Sequence, residues 1–530
     1  SWNKAFEKIG FKDVICVKEF PKNDTLFNAN SFDCMTIRYS ASWLNSAQTT
    51  IHSDTRTGEI LNASILINAN MISVQYADRI GATVAIDPRV RTTVFPQEIQ
   101  GELIQAAIAQ AVGTGLGLTM NWGASCAYPV DSLRSASFTQ KYGLASSVMG
   151  GVIINDVATE EDVRNGVCLV NAKPGPYDEL VIKYLYQPIY ASSLQEEKET
   201  LDSWIREHTG DPYYAYIRNQ SRFDSDPRNS RGSLGDDHLK SFDYMLPNVR
   251  KGFENYYSWF AKEDRDFLMR RRVHSALSER LSGRIYAILS YIGGIYLNDI
   301  REKDAIPSYS MVDREKQKAA LSKALELAKN LDWVDDTAHL NEFEISDKKA
   351  DRLRLDIFNG IFGRLPYVEV CTERFPDAAY TASEYLDDIY GIVWEGVLKH
   401  RPLENFERAL QTAFLESIIS TSTATAPIGS FKASKTGFAA TGKPGINLAA
   451  LRNGGKVDMK MHSLQNAEEV AGFSSIPPIY TNQTKIAAYY FDLLMRTKDM
   501  LKKAISTAPE ADRSHYDLLI YRINKATEIE

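Results

Sequence analysis

Residues 102–125 read ELIQAAIAQAVGTGLGLTMNWGAS. From Leu103 to Val112 nearly every residue is small or aliphatic, the composition of a helix buried along most of its surface. Three glycines then follow, Gly113, Gly115 and Gly117, and they mark where the helix gives out and the chain loops back. Upstream, Pro96 suits the start of a helix. The pattern therefore predicts a helix from about residue 97 that ends in a glycine turn.

The same stretch accepts the zinc-peptidase spacing H-E-x-x-H-x-x-G-x-x-H without a gap. The first ligand position falls on Gln110, the general-base position on Ala111 and the second ligand position on Thr114. The turn glycine falls on Gly117 and the third ligand position on Met120. Only the glycine is kept. Hydrolysis by zinc needs neutral imidazoles to hold the ion and a carboxylate to take a proton from its bound water. An amide, a hydroxyl and a thioether are poor zinc ligands, and Ala111 has nothing to ionise. An ordinary Ala/Gly-rich core helix would show the same composition, so the argument turns on the rest of the chain.

At 530 residues, with 44% apolar and 24% charged side chains, the chain has the balance of a globular protein with more than one core. The net charge of −7 is spread among well-mixed signs, which argues against nucleic acid or an anionic membrane as the main partner. The five cysteines, Cys16, Cys34, Cys126, Cys168 and Cys371, form no C-x-x-C pair and no disulfide framework. No apolar run is long enough to span a bilayer. The chain opens in a helix-like stretch, SWNKAFEKIGF, and an upstream segment is expected to precede it.

Trp2, Phe6 and Ile9 give residues 2–10 one apolar side. DVICVKEF (13–20) and CMTIRYSAS (34–42) read as strands. A turn at Thr57-Gly58 leads into a longer strand from Ile60 to Ile67, and a helix is expected over 71–82. In zinc peptidases a strand of this kind either forms the upper rim of the cleft, pairing with substrate backbone, or lies inside the sheet. Ile60, Asn62 and Ser64 are the candidate rim residues.

Past the glycine turn the chain reads NWGASCAYPVDSLRSASFTQKYGLASSVMGG (121–151). This resembles the large zinc-dependent metalloproteases widespread in Bacteroidota, a metzincin-like family. Their zinc helix runs into a segment close to HN-x-x-AS-x-AYPVDSLRS-x-x-FTQKYG and then into a methionine turn, S-[IV]-M-D-Y. This chain carries Asn121, Ala124, Ser125, the runs Ala127–Ser135 and Phe138–Gly143, and Met149. WNKAFEKIGF, DTRTGEI, DPRVR, GPYDELVIKYLYQPI (175–189) and DPRNSRGSLGDD (226–237) match the family's style, so the likeness covers roughly residues 1–330. It implies a metzincin-like fold, export beyond the inner membrane, often as a lipoprotein, and an outer-membrane setting with protein subunits as partners.

The departures fall on the chemistry. Histidines and glutamate are gone, and Gly150-Gly151 replace the Asp-Tyr that usually follows the methionine. Zinc is therefore expected to be absent, and Met149 reads as a core residue. Other chemistry finds little support in the sequence. Ser125 or Cys126 as a nucleophile lacks a visible base. Asp224, Asp226, Asp236 and Asp237 offer hard oxygens for calcium but lack EF-hand spacing, and Asp237 suits a helix N-cap. None of the eight histidines pairs with another at helical spacing, and each reads as a surface or satisfied group.

From about residue 190 helical periodicity takes over. Helices are expected through most of 238–297, over 312–331 and 378–399, after Pro402, and over 483–505 and 509–527. Arg270-Arg271-Arg272 reads as a solvated face. The expected architecture is α+β: a metzincin-like domain over 1–190 with a twisted sheet on the central helix, a linker and Tyr/Asp-rich loop over 191–240, and a mainly helical domain over 241–530 with an irregular excursion at 421–456. The expected function is that of a pseudopeptidase, a protein- or peptide-binding or scaffold subunit with no nucleic-acid partner. The alternatives are an active zinc peptidase with non-standard ligands and a glycan-binding surface module suggested by the Tyr-rich loop at 211–223.

Overall fold

In a computed structural model the described residues are 2–24, 27–29, 31–32, 34–44, 46–217, 225–229, 233–300, 304–335, 339, 349–422 and 483–527. The excursion at 421–456 lies outside them beyond residue 422, as do Asp224 and the 218–224 part of the Tyr-rich loop. The chain opens with α1 (Trp2–Glu7), which buries Trp2 and Phe6. Residues 13–20 form no strand. The Asn3 side chain donates to the Ile15 carbonyl at 3.0 Å and accepts from its N–H at 2.8 Å, taking backbone groups that a ladder would need.

Three strands follow, β1 (Thr36–Ser40), β2 (Ala47–Ser53) and β3 (Ile60–Asn68). They make a small mixed sheet in the order β1-β3-β2, with β1 parallel and β2 antiparallel to β3. The strand β2 was not anticipated, because its polar AQTTIHS lacks an apolar alternation. Ala63, Ile65 and Ile67 of β3 are buried, and Ile65 and Ile67 share one cluster with Met71, Ala107 and Ala111. Helix α2 (Ala69–Thr83) continues directly from β3, and α3 (Gln97–Gly115) packs on the sheet.

Short helices follow: α4 (Ala136–Tyr142), α5 (Glu160–Arg164), α6 (Pro176–Tyr186) and α7 (Leu194–Arg206). The remainder is mainly helical: α8 (His238–Phe260), α9 (Leu268–Leu289), a short hairpin of β4 (Ile295–Leu297) and β5 (Tyr309–Met311), then α10 (Arg314–Lys329), α11 (Lys349–Gly363), α12 (Leu365–Arg374), α13 (Ala382–Val393), α14 (Glu395–Leu398), α15 (Asn405–Ser422), α16 (Gln483–Ala504) and α17 (Glu510–Thr527). One apolar core joins Ile80, Phe95 and Leu103 of the first part to Phe253, Ile288, Phe358, Trp394 and Ile523. Asp237 caps α8, accepting from the N–H groups of Leu239 and Lys240, as its position predicted. The basic run is not one solvated face. Arg270 is 5% exposed, pairs with Asp264 at 3.1 Å and lies over the Tyr257 and Phe267 rings. Among the described residues no helix is long and apolar enough to cross a membrane.

Candidate functional site

The glycines of α3 allow it to sit where it does. A Cβ on Gly113 would lie 2.6 Å from Met149 Sδ and 2.7 Å from the Trp2 ring. Only a hydrogen fits there, so the helix rests directly on the methionine. Gly117 has φ +89° and turns the chain out of the helix, under Ile60 and Leu185. The Tyr186 hydroxyl of α6 closes the end by donating to the Leu116 carbonyl at 2.8 Å.

Gln110, Thr114 and Met120 lie half-buried around this turn. Gln110 Nε2 donates to Met120 Sδ at 3.0 Å, so the first and third ligand positions meet. Thr114 Oγ1 donates back to the Gln110 carbonyl at 3.3 Å. Ala111 is 5% exposed and packs with Ile65 and Ile67, while its carbonyl accepts from Thr49 on β2 at 3.1 Å. These residues do not fit a zinc ion. Ligand atoms on one tetrahedral zinc stand about 3.4 Å apart and must point lone pairs at it. Here the amide presents an N–H to the sulfur, and the hydroxyl is spent on its own helix. Among the described residues no group of three or more His, Cys, Asp or Glu is placed to hold a metal ion.

The methionine turn is built with care. Met149 is fully buried with Trp2, Phe6, Val148 and Ile182. Ser147 Oγ accepts from Met149 N–H at 2.9 Å and donates to Asp178 at 2.5 Å. Asp178 also accepts from the N–H groups of Val148 at 2.9 Å and Gly175 at 2.8 Å. Burial pushes its carboxyl up to about 6, against the pull of these donors. Beyond the turn, Asp156 is buried between Arg280 and Arg284 of α9 and is held below the usual carboxylate range by them, despite its desolvation.

A further wall was not visible in the sequence. The buried Asn121 side chain donates to the Ala215 carbonyl at 2.9 Å and accepts from the Ile217 N–H at 3.1 Å. Trp122 N–H bonds the Ile217 carbonyl at 3.2 Å. The segment 215–217 is thereby fixed beside the loop after α3. Tyr216 stacks on Tyr177 at 6.1 Å and its hydroxyl lies 3.4 Å from Thr119 Oγ1. The hydrogen bonds from Asn121 and Thr119 to this segment span 94 and 97 residues of sequence, beyond the reach of local patterns.

The candidate rim residues Ile60, Asn62 and Ser64 all lie on β3. Ser64 pairs with Thr36 on one side and Thr50 on the other, so β3 is the middle strand and has no free edge there. Asn62 pairs opposite His52, and its amide donates to the Cys34 carbonyl at 2.8 Å. The Ile60 side chain lies against Gly117 at the glycine turn. The antiparallel strand β2 is the outer strand on the α3 side.

Cys126, Asp226, Asp236 and Asp237 have structural roles. Cys126 is buried, which pushes its thiol up, and it bonds Ser233 and the Arg228 carbonyl. Asp226 pairs with Arg228 at 2.6 Å, Asp236 accepts from Val130 N–H at 3.1 Å, and Asp237 caps α8. His238 is buried at 4% exposed, with its Nε2 2.9 Å from the Pro227 carbonyl and its ring stacked on Tyr291.

A family model described as Met-zincin matches residues 92–401, more than half of the chain, beginning just before α3. No curated protein and no solved structure matches it. With the helix, its glycine turn and the buried methionine already located inside that span, the match has a structural counterpart, and the chain belongs to the Met-zincin family.

Proposed function

We propose that this member of the family is a pseudopeptidase: it keeps the helix, turn and methionine floor, binds no catalytic zinc, and uses the frame to hold a protein segment or scaffold other subunits. What carries the reading is the 3.0 Å contact between Gln110 Nε2 and Met120 Sδ, with Ala111 between the two ligand positions of the helix. It unites the positions that zinc would bring together and gives each an atom unsuited to zinc. The outer strand β2, beside α3, supports an extended peptide as the occupant, since such a strand offers main-chain pairing. The partners on this reading are proteins, not nucleic acid. The setting is extracytoplasmic, as an outer-membrane-associated lipoprotein within an assembly such as a transporter complex of a Bacteroidota-type cell, and rests on the family likeness alone.

The test has two arms. The wild-type chain is loaded with zinc, dialysed, and assayed for bound metal and for casein hydrolysis. Neither is expected, and stoichiometric zinc with chelator-sensitive hydrolysis would overturn the proposal in favour of an active peptidase with unusual ligands. In the second arm Gln110→His, Thr114→His and Met120→His are combined. This triple variant is expected to gain one zinc, and adding Ala111→Glu restores a proton acceptor. Failure of the triple variant to take zinc while folded would show that the cleft geometry itself has departed from the family frame.

A further inference from the structure

The small sheet has two outer strands, and they differ in kind. β2 is polar and lies beside α3, whereas β1 is the opposite edge, and among the described residues it pairs with β3 alone. The β1–β3 register sets Ile37 beside Ile65 and Tyr39 beside Ile67, on one face of the sheet. Ile65 and Ile67 are buried there in a cluster with Met71, Ala107 and Ala111. The cover does not extend to β1, for Ile37 is 48% exposed and Tyr39 67%. Met35, one step before the strand, continues the alternation and is 65% exposed, and Trp43, shortly after it, is 73% exposed. Single apolar residues on a surface are ordinary, but three in alternation along an outer strand mark an interaction site. Edge strands are commonly guarded by lysine, proline or a bulge. β1 reads TIRYS and pairs with β3 without a register shift, so it has none of these. Methionine, arginine, tyrosine and tryptophan, which gather here, are also the residues that protein interfaces favour.

The strand is complementary to itself. A two-fold axis normal to the sheet keeps the apolar side chains on one face and sets one residue opposite its own copy. When that residue is Ile37, Met35 faces the partner's Tyr39, Ile37 faces the partner's Ile37, and Thr36 faces the partner's Arg38. Each apolar side chain then meets an apolar one, and the single charge meets a hydroxyl. Centring on Arg38 would set two guanidinium groups opposite each other, which disfavours pairing. Centring on Thr36 carries Tyr39 past the start of the partner strand. Centring on Tyr39 would draw in Ser42 and Trp43, whose carbonyls already accept from Asn70. A whole tyrosine or tryptophan side chain presents about 150–250 Å². The uncovered parts of Met35, Ile37, Tyr39 and Trp43 therefore come to about 500 Å² per copy, and the strand backbone adds to this. That approaches the share of one partner in a specific interface, about 800 Å².

We infer that β1 is a self-association edge: a second copy of this chain pairs with it antiparallel about Ile37, joining the two small sheets into one continuous sheet. The contact lies on the opposite side of the sheet from β2, so its failure would leave the pseudopeptidase reading untouched.

The experiment is sedimentation velocity on the whole chain from micromolar to submillimolar concentration at neutral pH, with hydrogen exchange followed at both ends of that range. A monomer–dimer equilibrium is expected. The outward amides of β1 should exchange roughly tenfold more slowly in the concentrated sample, while those of β2 keep their rate. Ile37→Asp sets two carboxylates opposite each other at the axis and should leave only monomer. Tyr39→Lys, placed against the partner's Met35, should raise the dissociation constant roughly tenfold, and it serves as the test if Ile37→Asp lowers the melting temperature. A chain that stays monomeric throughout the range overturns the inference and assigns the edge to a different protein. A dimer left intact by either variant, with its melting curve unchanged, also overturns it, because that dimer uses another face. Slowing confined to β2 would do so equally.

Discussion

Asp156→Asn should destabilise the chain more than Asp178→Asn at pH 7. The Asp156 carboxylate accepts from Arg280 Nε at 2.6 Å and Arg284 Nε at 2.8 Å, and pairs a second time with Arg284 through Nη2. The side chains of Asp156 and Arg284 are 1% and 2% exposed, so neither is rescued by water when the other is lost. Asparagine keeps the shape but not the charge, and turns an N–H₂ toward guanidinium donors. Breaking one side of a buried ion pair costs about 3–5 kcal/mol, chiefly because the surviving charge stays buried. The assay is guanidinium denaturation followed by far-ultraviolet circular dichroism at pH 7, comparing midpoints at equal slope. The pH dependence gives an independent check. The arginines depress the folded carboxyl below its unfolded value, so its contribution is complete above about pH 4 and is lost as pH falls through the folded value. Wild type should therefore lose more stability than the variant on acidification below about pH 4. A loss at pH 7 of under about 1 kcal/mol would refute the reasoning, since the desolvation cost would then cancel the pairing.

Three further outcomes follow from the site. Gly113→Ala should lower the melting temperature despite alanine's better helix propensity, because overpacking against Met149 and Trp2 costs about 1–3 kcal/mol; Met149→Ala in the same chain should recover part of the loss. Asp178→Asn removes a carboxyl whose folded value is raised to about 6. The wild-type contribution is complete below the unfolded value and falls as pH rises through 6, so the substitution should cost more at pH 5 than at pH 7 by urea titration, up to about 1.4 kcal/mol per pH unit. Asn121→Ala leaves the Ile217 N–H and Ala215 carbonyl without their side-chain partner, and hydrogen exchange at Ile217 should accelerate markedly while amides of α9 stay protected.

Local sequence sufficed for the central helix, its glycine turn, the long strand from Ile60 and most helices after residue 238, because side-chain period and backbone punctuation act over a few residues. It also sufficed to see that the ligand positions carry no zinc-binding side chains, since that is a question of chemical identity at a known spacing. It could not place β2, whose polar residues gain strand geometry only by pairing with β3. Nor could it tell that β3 is the middle strand: one-face burial looks the same whether a strand has one neighbour or two. The 13–20 stretch has strand-like residues, but a strand exists only with a partner, and Asn3 occupies the backbone there first. Residue type alone makes the 270–272 arginines look solvated, whereas the burial of Arg270 depends on Asp264 and Tyr257 arriving from other elements. What the order of residues determined is which atoms the chain possesses at each step. Which of those atoms share a cavity, an ion pair or a sheet edge was decided by tertiary packing, because contact energies act between groups near in space however far apart along the chain.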